Sequence, residues 1–259
     1  MRKLAEQISV IARHAGQEIM AVYQQDFSVF KKEDNSPLTQ ADLAAHHCIV
    51  RMLTELDSTI PILSEESSTI EWPVRKSWSR YWLVDPLDGT REFVKRNGEF
   101  TVNIALIENG EPVLGVVFAP VLDWLLVGGR GIGTSWMKGQ DSGVAKVETA
   151  SVPLKVAASR SHRDEKTQAY LDKIGAIDTI GLGSSLKFCK IASGEIDLYP
   201  RFGPTSEWDT AAAQAVLEAA GGGVFTLDGR PLCYNHKESL LNPHFMAVGD
   251  LTIPWESWL

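Results

Sequence analysis

The sequence predicts a mixed α/β fold: an α+β part over residues 1–150 on a mainly antiparallel sheet, then an α/β part over residues 151–259. Three observations carry this expectation. Two amphipathic helical stretches open the chain and lead into strand-like runs joined by a hairpin turn. After residue 150, short apolar runs alternate with helical segments, the pattern of crossover connections. Finally, Tyr81-Trp82-Leu83-Val84 passes straight into Asp85-Pro86-Leu87-Asp88-Gly89-Thr90, a buried strand delivering acids at its end.

Leu4, Ile8, Ile11, Ala12, Ala15, Ile19 and Val22 recur at helical spacing and predict the first helix, with His14 at the boundary of its apolar stripe. A polar loop follows, Lys31-Lys32-Glu33-Asp34-Asn35-Ser36-Pro37. Thr39 then caps a second helix that continues through Ile49, Met52, Leu53 and Leu56, with Asp42 in the capping-box position. Residues 60–64 read as a short strand ending at Glu65-Glu66. Strands are expected over 101–107, 113–121 and 124–127, with a turn at Glu108-Asn109-Gly110-Glu111. The glycines at 128, 129, 131 and 133 do not satisfy G-x-G-x-x-G and are read as turns.

In the second part, strands are expected over 154–158, 179–182, 196–199, 223–227 and 245–248. Helices are expected over 164–174, 185–192 and 206–220, the last ended by Gly221-Gly222-Gly223. Ser206 with Asp209 three positions on forms a second capping box.

Composition narrows the function classes. The hydrophobic fraction of 44% and charged fraction of 22% suit a soluble globular chain. A net charge of −8 without any basic block argues against a nucleic-acid polymer as partner. Cys48, Cys189 and Cys233 are scattered and odd in number, which argues for a reducing compartment and against a zinc site or disulfide framework. No apolar run approaches the ~20 residues needed for a transmembrane segment, and polar residues interrupt the N-terminal stretch too often for a signal peptide. The expectation is a cytoplasmic protein.

Pro86 fixes its own φ, so the chain leaves the strand in one direction and Asp85 and Asp88 can face one space. Thr90 is read as N-cap of a short helix whose N–H groups would face an anion. Carboxylates beside an anion-friendly helix start call for a reconciling cation, and Mg²⁺ takes such hard oxygen ligands together with substrate phosphate. A turn in which both aspartates only cap backbone groups is the ordinary alternative for a lone D-x-x-D-G. What favours the metal is recurrence: Glu65 and Asp209 also stand at element ends.

Asp85-Pro86-Leu87-Asp88-Gly89-Thr90, the upstream Glu65-Glu66 and the downstream Trp208-Asp209 together resemble the inositol monophosphatase superfamily of Mg²⁺-dependent, lithium-sensitive phosphatases. Three further stretches resemble its bacterial 3'(2'),5'-bisphosphate nucleotidase branch. They are Ala158-Ser159-Arg160-Ser161-His162, Gly183-Ser184-Ser185-Leu186-Lys187-Phe188-Cys189 and Leu198-Tyr199-Pro200-Arg201-Phe202-Gly203-Pro204.

The resemblance implies a layered αβαβα phosphatase acting on adenosine 3',5'-bisphosphate to give AMP and phosphate. It implies that Glu65, Asp85 and the Leu87 carbonyl hold one Mg²⁺, that Asp85, Asp88 and Asp209 hold a second, and that Glu65 helps with a weaker third. Thr90, oriented by Asp42, and Glu65 would position and deprotonate the attacking water. The amides of Gly89 and Thr90 would receive the phosphate, and His162, Ser184, Lys187 and Arg201 would contact the nucleotide. Peripheral association with the inner membrane is implied by the resemblance alone.

Each assignment has a plainer counterpart. His162 could cap the helix at Asp164, Lys187 could lie on a solvated face, and Arg201 could pair with Glu195 or Asp197. Glu207, an acid beside Asp209, is expected to turn away from a phosphorylated substrate. Two other functions are weighed. One is the same chemistry on inositol monophosphate or another sugar phosphate; the other is a non-catalytic phosphonucleotide sensor.

Overall fold

Alternating side chains along the strands divide the buried residues into separate cores, and those cores dictate the layering. The computed structural model describes residues 1–26, 29–31, 37–67, 69–158 and 165–259. His162, Ser159 to Ser161, the expected helix start at Asp164 and the centre of the polar loop after Lys31 lie outside the described residues.

The chain opens with α1 (Arg2–Tyr23), a small antiparallel pair β1 (Val29–Lys31) and β2 (Pro37–Thr39), and α2 (Gln40–Leu56). Then come β3 (Ile62–Ser64), a 3₁₀ turn (Glu65–Ser67), α3 (Trp72–Arg75), β4 (Arg80–Asp88) and α4 (Thr90–Val94). An antiparallel meander follows: β5 (Thr101–Glu108), β6 (Glu111–Ala119), β7 (Trp124–Gly129), β8 (Gly133–Lys138) and β9 (Asp141–Ala145). With β3 running parallel to β4, these form a seven-stranded sheet in the order β3-β4-β5-β6-β7-β8-β9.

The remainder is β10 (Leu154–Ala158), α5 (Glu165–Ile174), β11 (Ile177–Gly181), α6 (Leu186–Ala192), β12 (Leu198–Arg201), α7 (Glu207–Ala219), β13 (Gly223–Thr226) and β14 (Phe245–Val248). A 3₁₀ turn (Trp255–Trp258) closes it. The second sheet has the order β11-β10-β12-β14-β13. β10 is parallel to β11 and β12, as expected for crossover helices, while β14 runs antiparallel between β12 and β13.

Trp82, Val84, Ile104 and Val116 face α1 and α2. Tyr81, Leu83, Ala105 and Val117 face the other way and share a core with α6, α7 and Tyr199, Phe245 and Ala247 of the second sheet. Leu198, Met246 and Val248 point outward onto Tyr170 and Leu171 of α5. The layers are therefore α1/α2, the large sheet, α6/α7, the small sheet and α5, the αβαβα order that the resemblance implies.

The central helix sits very close to the large sheet. A Cβ on Gly115 would lie 2.2 Å from the Ala212 carbonyl oxygen, and one on Gly128 would lie 2.9 Å from Val216 Cα. These glycines and the alanines of α7 let two backbones approach.

Four points need correction. Gly128 and Gly129 belong to β7 rather than to turns; only Gly131 sits in the β7–β8 turn, with φ +77°, and Gly133 opens β8. Two strands, β8 and β9, were not anticipated, because their exposed Ser, Lys, Gly and Asp residues hide the alternation. β4 does not stop at Asp85 but continues to Asp88, with a register irregularity that lets Pro86 sit in the strand. Thr90 is the first residue of α4 rather than its N-cap; Gly89 takes the N-cap position in the left-handed region, φ +92°.

Candidate active site

The irregularity in β4 is what brings the two aspartates together. In a regular strand, residues three apart point to opposite faces. Here Asp85 pairs with Asn103 and Asp88 with Thr101, so three steps on β4 match two on β5. The extra residue turns Asp88 to the same face as Asp85, the face covered by α7. Asp209 enters from the first turn of α7, and one carboxylate oxygen from each of Asp85, Asp88 and Asp209 lies within 4.8 Å of the others. Glu65 follows β3, which runs beside β4 with Ser64 opposite Val84, and its carboxylate reaches that of Asp85.

Burial raises the Asp85 carboxyl well above the ordinary range, and the charges of Glu65, Asp88 and Asp209 push it further. Burial and the Asp88 charge raise Asp209 in the same way. Burial raises Asp88 too, against opposing contributions from Lys187, Ser185 and Asn103. None of the three forms an ion pair among the described residues. Asp85 Oδ1 accepts the Leu87 N–H at 3.0 Å, but Oδ2 is buried without a donor. A buried oxygen with no donor, in an all-oxygen acidic cluster, suits a hard divalent cation.

Asp42 has two jobs. Its Oδ2 accepts the Thr39 N–H at 2.7 Å and the Thr39 hydroxyl at 2.6 Å, completing the α2 capping box. Its Oδ1 lies 3.1 Å from Thr90 Oγ1, which also reaches the Leu87 carbonyl at 3.3 Å. Asp42 is thus both a cap and the partner of Thr90. Asp209 likewise has two roles, as a cap whose Oδ2 accepts the Ser206 N–H at 2.9 Å and as a member of the acidic cluster.

Lys187 is not on a solvated face. It is buried, lies 5.1 Å over the Tyr199 ring, and donates to the carbonyls of Ser184 (2.7 Å) and Leu182 (3.2 Å). Burial lowers it to about 8, offset in part by Asp88. Arg201 pairs with neither acid considered above. Glu195 holds Lys190 at 2.6 Å, and Asp197 accepts the N–H groups of Lys155 and Ser151. Instead Arg201 Nη2 donates to the Pro204 carbonyl at 2.9 Å, while its Nε is buried without a partner.

Ser184 has a left-handed backbone, φ +43°, and its Oγ is buried and unpartnered. A Cβ on Gly89 would sit 3.2 Å from Ser184 Cβ, so the turn before α6 packs against the turn before α4. Glu207 is buried, and its carboxylate turns to the Asn235 N–H at 2.9 Å and toward Lys237 Nζ at 3.8 Å.

Two residues of the site escaped the sequence reading. Asn103 Nδ2 reaches Asp88 Oδ2 at 3.3 Å and Ser185 Oγ at 2.9 Å. Ser185 donates its N–H to Asp88 Oδ2 at 2.7 Å, and its hydroxyl bridges Asp88 Oδ2 (2.9 Å) and the Asp209 carbonyl (2.8 Å). The one available signal was Asn103 itself, a lone amide inside the apolar run 102–107.

A sequence model described as the inositol monophosphatase family matches residues 1–252. The 3'(2'),5'-bisphosphate nucleotidase CysQ of Salmonella typhimurium is 51% identical over 250 residues, covering 95% of this chain and 99% of that protein. The CysQ of Buchnera aphidicola is 45% identical, covering 95% and 94%. The crystal structure of CysQ from Bacteroides thetaiotaomicron, described as a bacterial member of the inositol monophosphatase family, superposes with a TM-score of 0.86. It is 40% identical over 96% of this chain and 98% of that one.

Proposed function

The chain belongs to the inositol monophosphatase family, and we propose that it is a Mg²⁺-dependent 3'(2'),5'-bisphosphate nucleotidase that hydrolyses the 3'-phosphate of adenosine 3',5'-bisphosphate to AMP and phosphate. The observation that carries this reading is the meeting of Asp85, Asp88 and Asp209 within 4.8 Å, next to the Asp42–Thr90 pair. That nucleotidases share half of its residues over nearly the full chain supports the choice of substrate.

In this reading Glu65, Asp85 and the Leu87 carbonyl hold one cation, Asp85, Asp88 and Asp209 a second, and Glu65 contributes to a weaker third. Bound Mg²⁺ neutralises the transferring phosphoryl group and lowers the pKa of water. The residues do the rest. The Thr90 hydroxyl donates to Asp42 Oδ1, so its oxygen can accept a hydrogen bond from the attacking water, and a proton taken from that water would pass through the hydroxyl to the Asp42 carboxylate. Asp42 can hold that orientation because its other oxygen is locked into the α2 cap. Glu65 is the second acceptor beside the water.

Gly89 takes the left-handed φ that the turn into α4 requires, and its amide and that of Thr90, at the start of the helix, are the groups that would receive the phosphate. Arg201, with unused N–H groups, suits the second phosphate through a planar fork. Lys187 has one N–H left after its two carbonyls and adds positive charge beside Asp88. Ser184 Oγ, buried without a partner, suits the nucleotide as well. His162 is assigned to the nucleotide by resemblance alone.

The test is phosphate release from adenosine 3',5'-bisphosphate against inositol 1-phosphate, with and without Mg²⁺. A preference for the nucleotide of ~100-fold, or about 2.7 kcal/mol in the transition state, is expected. Preference for the inositol ester would keep the metal site and discard the roles of Arg201 and Lys187. No release from either would remove the phosphatase reading.

A further inference from the structure

Glu207 has no part in the chemistry above, yet it is 1% exposed and stands two residues from Asp209 at the start of α7. A buried carboxylate must be held by donors. Those donors come from a single segment that crosses the end of α7. Glu207 Oε2 accepts the Asn235 N–H at 2.9 Å, and Asn235 is itself buried with a left-handed φ of +55°. Its side-chain amide then makes a reciprocal pair with Arg75. Oδ1 accepts from Arg75 Nη1 at 2.7 Å, and Nδ2 donates to the Arg75 carbonyl at 2.6 Å.

Arg75 is only 2% exposed, stacks 4.8 Å over the Trp72 ring, and donates to the carbonyls of Lys237 (3.3 Å) and Glu238. The same segment continues to Asn242, whose Nδ2 donates to the Ser206 carbonyl at 2.7 Å, and Glu207 N donates to the Leu240 carbonyl at 2.8 Å. Arg75 ends α3, the element that leads into β4.

We infer that Arg75, Asn235 and Glu207 form a positioning network that holds Asp209 in register with Asp85 and Asp88. The inference rests on the reading of Asp209 as a metal ligand. Its logic is mechanical. The first turn of α7 brings Asp209 to the cluster, and β4 brings the other two acids. Arg75 ends α3, just before β4, and Glu207 begins α7, so one buried amide ties α7 to the segment that feeds β4. This also explains an acid beside a phosphate site: the charge of Glu207 is directed to the strap, and its carboxylate serves as an acceptor there.

The test reads metal binding in the absence of substrate. Mn²⁺ affinity of the metal-stripped protein is measured by the electron paramagnetic resonance signal of free Mn²⁺, and Tm is measured separately in EDTA. Glu207→Ala removes the acceptor and should weaken Mn²⁺ binding by ~10-fold or more, the usual effect of losing a group that orients a ligand. Glu207→Gln keeps an acceptor for Asn235 N–H and should bind close to wild type. Asn235→Gly keeps both the N–H and the left-handed φ but cuts the link to Arg75, and should also lose ~10-fold. It further serves as the deciding variant if Glu207→Ala does not fold. Wild-type Mn²⁺ affinity in folded Glu207→Ala and Asn235→Gly, whatever their Tm, would overturn the network. Asp209→Asn separates the two readings: unchanged Mn²⁺ binding there would overturn the ligand assignment itself.

Discussion

Replacing Gly115 with alanine should loosen the protein and disturb the metal site from a distance. The new Cβ would meet the Ala212 carbonyl oxygen at 2.2 Å, its carbon at 2.8 Å and its Cα at 2.9 Å. All three are backbone atoms of α7, so no side-chain rotation relieves the clash. The helix must retreat from β6 by roughly 1 Å to regain ordinary van der Waals separation. Overpacking a core costs about 1–3 kcal/mol, and a backbone obstacle places this case near about 3 kcal/mol. For a chain of this length that is a fall in Tm of roughly 6–12 °C.

The same movement displaces Asp209, which α7 carries toward Asp85 and Asp88. A misplacement of about 1 Å can cost ~10²-fold in rate. The assay is thermal unfolding in EDTA, which removes the contribution of bound metal, alongside kcat at saturating Mg²⁺. Gly131→Ala is the control. Nothing lies within 4 Å of its Cβ, but its φ of +77° makes alanine strained. It should cost about 1–2 kcal/mol and leave kcat unchanged. A Gly115→Ala protein with wild-type Tm and kcat, or one milder than Gly131→Ala, would refute the close-packing argument.

Three other outcomes are expected. Thr90→Val removes the hydroxyl between Asp42 and the water and should lower kcat by ~10²–10⁴-fold, whereas Thr90→Ser should retain most activity; steady-state kinetics on the nucleotide decide, and an active valine variant would exclude Thr90 as a proton acceptor. Asn103→Leu leaves the Thr101 hydroxyl and Asp88 without its amide, so it should cost about 1–3 kcal/mol in denaturant unfolding and ~10-fold in Mn²⁺ affinity; unchanged affinity would confine Asn103 to a packing role. Cys233 is exposed while Cys48 and Cys189 are buried, with burial pushing the thiols up. Ellman's reagent should therefore titrate one thiol in the native protein and three in denaturant, and a second fast native thiol would contradict the described core.

Much of the architecture was legible from periodicity. The helical stripe Ile8, Ile11, Ala15 and Ile19 reflects a helix buried on one side, and the near-continuous apolar run 102–107 reflects a strand buried on both faces. β8 and β9 left none, because at this end of the sheet, where β9 is the edge strand, most of their side chains are exposed or only partly buried. Thr39 with Asp42 and Ser206 with Asp209 were readable as caps, since capping acts over three residues. That Asp209 also joins Asp85 and Asp88, and that Asp42 also meets Thr90, 48 residues away, depends on distant partners that no local rule reports.

The helices and most strands were thus determined by the sequence alone, because each leaves a pattern within one or two turns of chain, while Glu65, Asp85, Asp88 and Asp209 were singled out as candidate ligands by the family resemblance of their motifs. The tertiary structure decided the rest. It placed Asp85 and Asp88 on one face through an extra residue in β4, buried Lys187 under two carbonyls and freed Arg201 from Glu195 and Asp197. It also recruited Asn103, Ser185 and the Arg75–Asn235–Glu207 bridge around the carboxylates. Those outcomes depend on which distant backbones come close enough to exclude water, and close approach between α7 and two sheets is a property of packing that no short stretch of chain contains.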